Sequence, residues 1–236
     1  MQLLALENNL SETAFVKPRT DGDYDLRWFT PAAEIEFCGH ATIASAHVLF
    51  AELDQKKTII FHTQIGELVV ENCVSGYKLR APNYTMKPLE ICTPIKAAFG
   101  ETVVGAYIVA NNLYVEFLHS EDVKRFTPLS DSISDICAQF DVLGVSIMAV
   151  GDGVFSKYDF ISRHFAPVFG VDEDPVTGSA HSAMAPFWAD RLNKTELIAY
   201  QASKRGGILH LSVKPEHVYI TGEAVTFLRG EIYIPE

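Results

Sequence analysis

The sequence predicts an α+β protein built as two similar halves, and three observations carry that expectation. First, a block recurs: Arg27-Trp28-Phe29-Thr30-Pro31 leads into the stretch from Cys38 to Leu53, and Arg163-His164-Phe165-Ala166-Pro167 leads into Thr177 to Leu192. Second, aligning Gly39 with Gly178 also pairs Ala41 with Ala180, Ala44 with Ala183, Ala46 with Ala185 and Leu53 with Leu192. Third, each small-residue stretch is followed by three short β-rich segments, the pattern of an antiparallel meander. Each half is then a strand ending in Arg-x-Phe-x-Pro, a loop, a helix that starts at a glycine, and a meander.

In chain order, residues 1–10 carry apolar side chains at Leu3, Leu4 and Leu6 and read as a helix. Residues 13–16 and 24–29 read as strands around the turn Asp21-Gly22-Asp23. The first glycine-led helix covers 39–53, and the first meander covers 58–82 with breaks at Gly66 and Gly76. Pro82, Pro88 and Pro94 mark a linker. Residues 105–117 read as a hairpin turning at Asn111-Asn112, a helix falls within 121–140, and 146–152 and 158–165 are strands. The second helix starts at Gly178, the second meander occupies 199–222, and 224–235 is again β-rich. The halves divide at 1–98 and 99–236. Only the second opens with a hairpin, so the repeat leaves the first short of two strands ahead of Met1. The segment from Ala224 is the candidate to fill that gap, since an open sheet edge is a liability.

At 236 residues, the chain holds one large domain or two of about 100–120 residues. With 48% hydrophobic and 21% charged residues it reads as an ordinary globular protein with a substantial core. A net charge of -11 excludes a nucleic-acid partner, whose phosphates need a basic surface. No apolar run approaches a membrane span and no signal peptide is visible, so no membrane partner is expected. Cys38, Cys73, Cys92 and Cys137 show no CxxC or metal spacing, which points to a reducing cytoplasm.

Two helix starts facing one cleft would bind an anion, because first-turn N–H groups lack intrahelical acceptors and the dipole favours negative charge. A small carboxylate-bearing ligand between the halves is therefore expected. Cys38 precedes the first helix, where a thiol can be acidified; its alternative is plain buried packing. The matching residue is Thr177, so a two-thiol proton shuttle is excluded. His40 sits beside Gly39 and matches Ser179, which favours a ligand role; His47, two turns on, reads as packing. Asp172-Glu173-Asp174 precedes the second helix, where acids also serve the helix dipole. Asp174 is held extended by Pro175. Glu12 is either solvated surface or, if turned into the cleft, a general acid/base with a pKa raised by burial. No dinucleotide, P-loop, metalloprotease or serine-nucleophile motif occurs, so neither cofactor nor metal is expected.

NLSETAFV (9–16), LRWFTPAAEIEFCGHAT (26–42), SRHFAP (162–167), DEDPVTGSAHSAMAPFWADRL (172–192) and QASKRGG (201–207) resemble the PhzF-like family, named for phenazine biosynthesis. The resemblance implies the diaminopimelate-epimerase fold, with two domains related by a pseudo-twofold, each wrapping a mixed sheet around a central helix. It also implies a cofactor-free isomerase that moves a proton within one substrate, and a homodimer. Glu12 maps to the proton-transferring glutamate, and His40, Asp174 and Ser179 to groups around the ligand. Ser11, Gly39 and Gly178 belong to the same blocks and are expected to hold substrate. Members of the family open with a strand block bearing a Gly-Asn-Pro turn, which nothing ahead of Met1 matches. The rival readings are a catalytically silent binding scaffold and, last, a thiol-dependent racemase using Cys38.

Overall fold

A computed structural model of the chain describes residues 1–52, 57–128 and 130–233. The first half holds α1 (Gln2–Asn8), β1 (Thr13–Pro18), β2 (Tyr24–Phe29), β3 (Glu34–Ile35), α2 (Gly39–Glu52), β4 (Thr58–Thr63), β5 (Gly66–Cys73) and β6 (Gly76–Pro82). Next come β7 (Lys87–Leu89), α3 (Thr93–Phe99), β8 (Val103–Val109), β9 (Asn112–Phe117), α4 (Ser120–Arg125) and α5 (Ser130–Phe140). The chain then forms β10 (Gly144–Val150), β11 (Phe160–Ala166), β12 (Val171–Asp174), α6 (Gly178–Leu192), β13 (Glu196–Gln201), β14 (Gly207–Val213) and β15 (His217–Gly222).

The strands form one mixed sheet in the order β1-β2-β4-β5-β6-β15-β14-β13-β11-β10-β9-β8-β7, with β3 on β2 and β12 on β11. The order reads as a palindrome about the β6–β15 pair. β4-β5-β6 matches β13-β14-β15, β2 matches β11, and β1 matches β10. Parallel contacts fall at corresponding places, β2 with β4 and β11 with β13. Registers refine the match: Thr13 pairs with Phe29 as Val145 pairs with Phe165. Glu12 therefore corresponds to Gly144.

The wrapped helices owe their place to small side chains. α2 buries Ala41, Ile43, Ala46 and Phe50 against Leu26, Trp28, Ile59 and Leu79 of the first half. α6 buries Ala180, Ala183, Ala185 and Trp188 against Phe160, Leu197, Leu209 and Ile220. A further apolar core joins α3 and α5 to β8, β9 and β10.

Four sequence expectations change. The proline-marked linker contains β7, a short sheet-end strand where Pro88 costs no ladder bond that matters. The hairpin turns one residue earlier than expected, with Ala110 and Asn111 at φ 48° and 57°. The region 121–140 holds two helices instead of one. Most important, residues 224–233 form no strand. They run past α2 instead, where Thr226 meets His47 Nε2 at 2.8 Å and Arg229 pairs with Glu52 at 2.6 Å. Leu53 and residues 234–235, which the expectation included, lie outside the described residues. No described helix is long and apolar enough to cross a membrane.

Candidate active site

α2 and α6 meet head to head at glycine. A Cβ on Gly39 would stand 2.8 Å from the Gly178 Cα, and one on Gly178 would stand 2.9 Å from the Gly39 Cα. Real Cβ atoms do not approach that closely, so the two helix starts can touch only because both residues lack one. Thr177 precedes α6 without a side-chain cap, so the first-turn amides have no acceptor from it. A cavity of about 340 Å³ lies there, lined by Glu12, Cys38, Gly39, His40, Asp174, Gly178 and Ser179 among others.

Glu12 reaches this cavity from the turn between α1 and β1. Asn9 makes that turn in the left-handed region at φ 48°, a conformation asparagine tolerates. The Glu12 side chain is 9% exposed and its Oε2 lies 2.9 Å from His40 Nε2. On the other edge of the imidazole, Nδ1–H donates to the Val176 carbonyl at 2.8 Å. Flanked by a carbonyl and a carboxylate, the ring has use for hydrogens on both nitrogens. Burial works against its charge, yet the bond to Glu12 and the charge of Asp174 favour it, and the His40 pKa is raised above that of a free histidine.

The expectation for Glu12 is corrected in sign. Burial pushes its pKa up, but the bond and charge of His40, with Ser11 and Cys38, outweigh burial and leave it lowered. Glu12 is therefore a carboxylate near neutral pH, ready to accept a proton. Cys38 is corrected too: burial drives its thiol up to about 11 despite the helix start. It stays protonated near neutrality, with Sγ 3.7 Å from either His40 ring nitrogen. The Glu12, Cys38 and His40 ligand atoms all lie within 4.8 Å of one another.

Asp174 is 5% exposed. Its Oδ2 accepts the Thr177 hydroxyl at 2.5 Å, while Oδ1 is buried with no hydrogen bond and lies 3.9 Å from His40 Nδ1. Glu12 Oε2 likewise has no aligned hydrogen bond. Gln201, at the end of β13, ties this corner by accepting from the Thr177 amide at 2.7 Å and donating to the Asp174 carbonyl at 2.6 Å. The Arg-x-Phe-x-Pro repeat proves to be a support for both loops. Arg27 clamps Glu34 at 2.7 Å, and Arg163 clamps Glu173 at 2.6 and 3.1 Å. Both glutamates stand five places before the helix glycine, a signal the sequence reading passed over.

Glu12, Gly39, His40, Asp174, Gly178 and Ser179 thus converge on one cavity. Ser11 does not line it and instead bonds the Glu12 carboxylate from behind. The sequence reading missed His164, Asn111 and Asn112, which line the opposite wall.

The family described as phenazine biosynthesis-like proteins matches residues 1–230. An uncharacterised isomerase of Halalkalibacterium halodurans is 42% identical over 99% of this chain and 87% of its own. A crystal structure of a PhzF-family phenazine biosynthesis protein from Enterococcus faecalis is 40% identical, with a TM-score of 0.89, over 99% of this chain and 86% of that one. A hydroxyproline epimerase from Agrobacterium vitis, 11% identical, shares the fold at a TM-score of 0.64 over 92% of this chain and 73% of that one. The Halalkalibacterium halodurans relative is named an isomerase, which supports an isomerase-like role, and the fold is shared with an epimerase. The chain is a member of the PhzF-like, phenazine biosynthesis-like family.

Proposed function

We propose that the protein is a cofactor-independent isomerase that shifts a proton within a small carboxylic acid held between its halves. The observation that carries this reading is a pair of buried carboxylates beside two touching helix starts, Glu12 paired with His40 at 2.9 Å and Asp174 with an Oδ1 that has no hydrogen bond. The substrate carboxylate would lie against the amides of Gly39, Gly178 and Ser179. Glu12 would take a proton from carbon, breaking C–H and forming O–H, while the electron pair moves into the conjugated acid. The same amides would hold the charge that develops on oxygen. Glu12 would then return the proton to another carbon, with charged His40 steadying it between the two events and Asp174 holding a donor group of the substrate. The step is redox-neutral and needs no second base, in keeping with a protonated Cys38 facing Thr177. A cytoplasmic homodimer, as the family resemblance implies, belongs to the same proposal.

The test is proton NMR in D₂O with a panel of small cyclic and amino carboxylic acids. Wild type is expected to wash out a carbon-bound proton, and Glu12→Gln to slow that by about 10²–10⁴-fold while still folding. Exchange at an equal rate in both proteins would remove Glu12 from the role. Saturable binding without exchange would favour the second reading, a binding scaffold. One observation supports that alternative: among the described residues β1, next to Glu12, has no strand where β10 has β9.

A further inference from the structure

The turn that carries Asp174 to the cleft accepts a side-chain hydrogen bond at each of its carbonyls, from 174 to 177 in succession. Asp174 takes one from Gln201 Nε2 at 2.6 Å, and Pro175 one from the Ser203 hydroxyl at 2.8 Å. Thr177 takes one from His181 Nδ1 at 2.8 Å. Those three donors belong to the second half. The Val176 carbonyl instead meets the first half, where His40 Nδ1–H donates to it at 2.8 Å. Where that carbonyl points therefore decides how the His40 ring lies beside Glu12.

Residues 201–207 hold this turn from behind. Gln201 is fully buried at the end of β13 and pairs with Gly207 across the hairpin. Its Oε1 accepts from the Thr177 amide at 2.7 Å, and its Nε2 also donates to the Thr177 hydroxyl at 3.2 Å. A hydroxyl that accepts there sends its own hydrogen onward, to Asp174 Oδ2 at 2.5 Å. The Gln201 amide thereby fixes which Asp174 oxygen is tied and leaves Oδ1, 3.9 Å from His40 Nδ1, without a bond. Ser203 closes its loop by accepting from the Gly206 amide at 3.0 Å. Gly207 then stands against Val176, where a Cβ would come 2.3 Å from Val176 Cγ2. Valine is stiff at χ1, so a side chain at 207 has to push the turn itself. The first half is built differently here. Its matching hairpin turns through residues 64 and 65, whereas the second uses 202–206. Thr63 stands where Gln201 stands, and its hydroxyl donates back to Gly66 of its own hairpin at 2.7 Å.

We infer that Gln201, Ser203 and Gly207 are positioning residues for proton transfer. They set the turn 174–177 so that the Val176 carbonyl holds His40 against Glu12 and Asp174 keeps one oxygen for the cleft. None of the three lines the cavity with Glu12, so each acts through the turn. The inference rests on the reading of the cleft as a proton-transfer site, yet the placement of His40 can be followed without any substrate.

The test follows the His40 Nδ1–H by ¹H–¹⁵N NMR of the free protein, assigned by its loss in His40→Phe, with folding read from backbone amides. Its exchange with water should be about tenfold faster in Gln201→Met and in Gly207→Ala than in wild type, the worth of one good hydrogen bond. Adding Val176→Ala to Gly207→Ala removes the clashing Cγ2 and leaves the Val176 Cβ at 3.5 Å, so slow exchange should return. Ser203→Ala, which loses less, should also quicken the exchange and decides the matter if the larger changes prevent folding. With the acid panel in D₂O, loss of the carbon-bound proton should slow by about 10–10²-fold in the single variants and recover in the double one. A folded Gln201→Met or Gly207→Ala with the wild-type rate at Nδ1, or a double variant that stays fast, overturns the inference. Faster Nδ1 exchange in the variants, with wild type inert toward every acid, would sustain the positioning of His40 and overturn the proton-transfer reading instead.

Discussion

The two halves share a frame and differ in what they hang on it. Both place an Arg–Glu clamp beneath the loop before the central helix, and both start that helix at a glycine. At the position before the first pairing residue, one half has Glu12 and the other Gly144. At the middle of Arg-x-Phe, one has Trp28 in the core and the other His164 on the cleft. The comparison teaches that duplication supplies the cleft, whereas chemistry comes from residues that break the repeat. The same is true of support. β10 lies between β9 and β11 and is buried along its length except at Val150, while among the described residues β1 has β2 on one side only and is nowhere fully buried.

The clamps offer the largest expected contrast. Arg163 is 11% exposed against 46% for Arg27, and Arg163 also donates to the Val123 carbonyl at 3.4 Å and to the Phe126 carbonyl. Arg163→Ala strands Glu173 and should cost about 3 kcal/mol, whereas Arg27→Ala breaks a solvated pair worth less than about 1 kcal/mol. Equal losses in denaturant unfolding would erase the distinction. Next in size, Gly39→Ala and Gly178→Ala should each cost about 1–3 kcal/mol by forcing the helix starts apart, and both should weaken acid binding. An alanine at either place with unchanged stability and binding would deny the contact. Smallest is a difference in protection: β1 amides should exchange with solvent faster than those of β10, read residue by residue. Matching rates would mean that something in solution covers the β1 edge.

Much of this was legible beforehand, and the reasons are physical. The glycine-led helices announced themselves because a Gly–Gly contact and a wrapped helix demand small residues at fixed spacing. His40, Asp174 and Ser179 could be proposed because they flank helix starts or a rigid Asp-Pro step, whereas Glu12 stood open between surface and cleft until the family resemblance assigned it. His164 could not: β11 is buried on both faces, so no alternation tells which side chains meet the cleft. The direction of the Glu12 shift depended on His40 lying 2.9 Å away across a fold contact. Residues 224–233 read as strand from their β-branched and aromatic content, but a strand exists only with a partner, and this segment lies along α2 and pairs with none of the described strands. Val225, Phe227 and Tyr233 are left at least 85% exposed.

The contrast between a charged wall and a neutral one is open to direct measurement without any substrate. Imidazole ¹⁵N and Glu12 carboxyl ¹³C shifts, followed from pH 3 to 10, report each group. Glu12 is lowered, so its contribution to stability is present above its ordinary value of 4.5 and is lost as pH falls through the lowered one. His40 is raised, so its contribution is full below 6.5 and is lost as pH rises through the higher value. His164 and His181 run the other way. Burial depresses both, His181 to about 4, so their contributions are full above 6.5 and are lost on acidification. The account predicts that His40 keeps its second proton to a higher pH than the ordinary 6.5 of histidine, beside an ionised Glu12, while His164 and His181 give theirs up below 6.5. A His40 that loses its second proton at or below pH 6.5, or a Glu12 that titrates above 4.5, would contradict it.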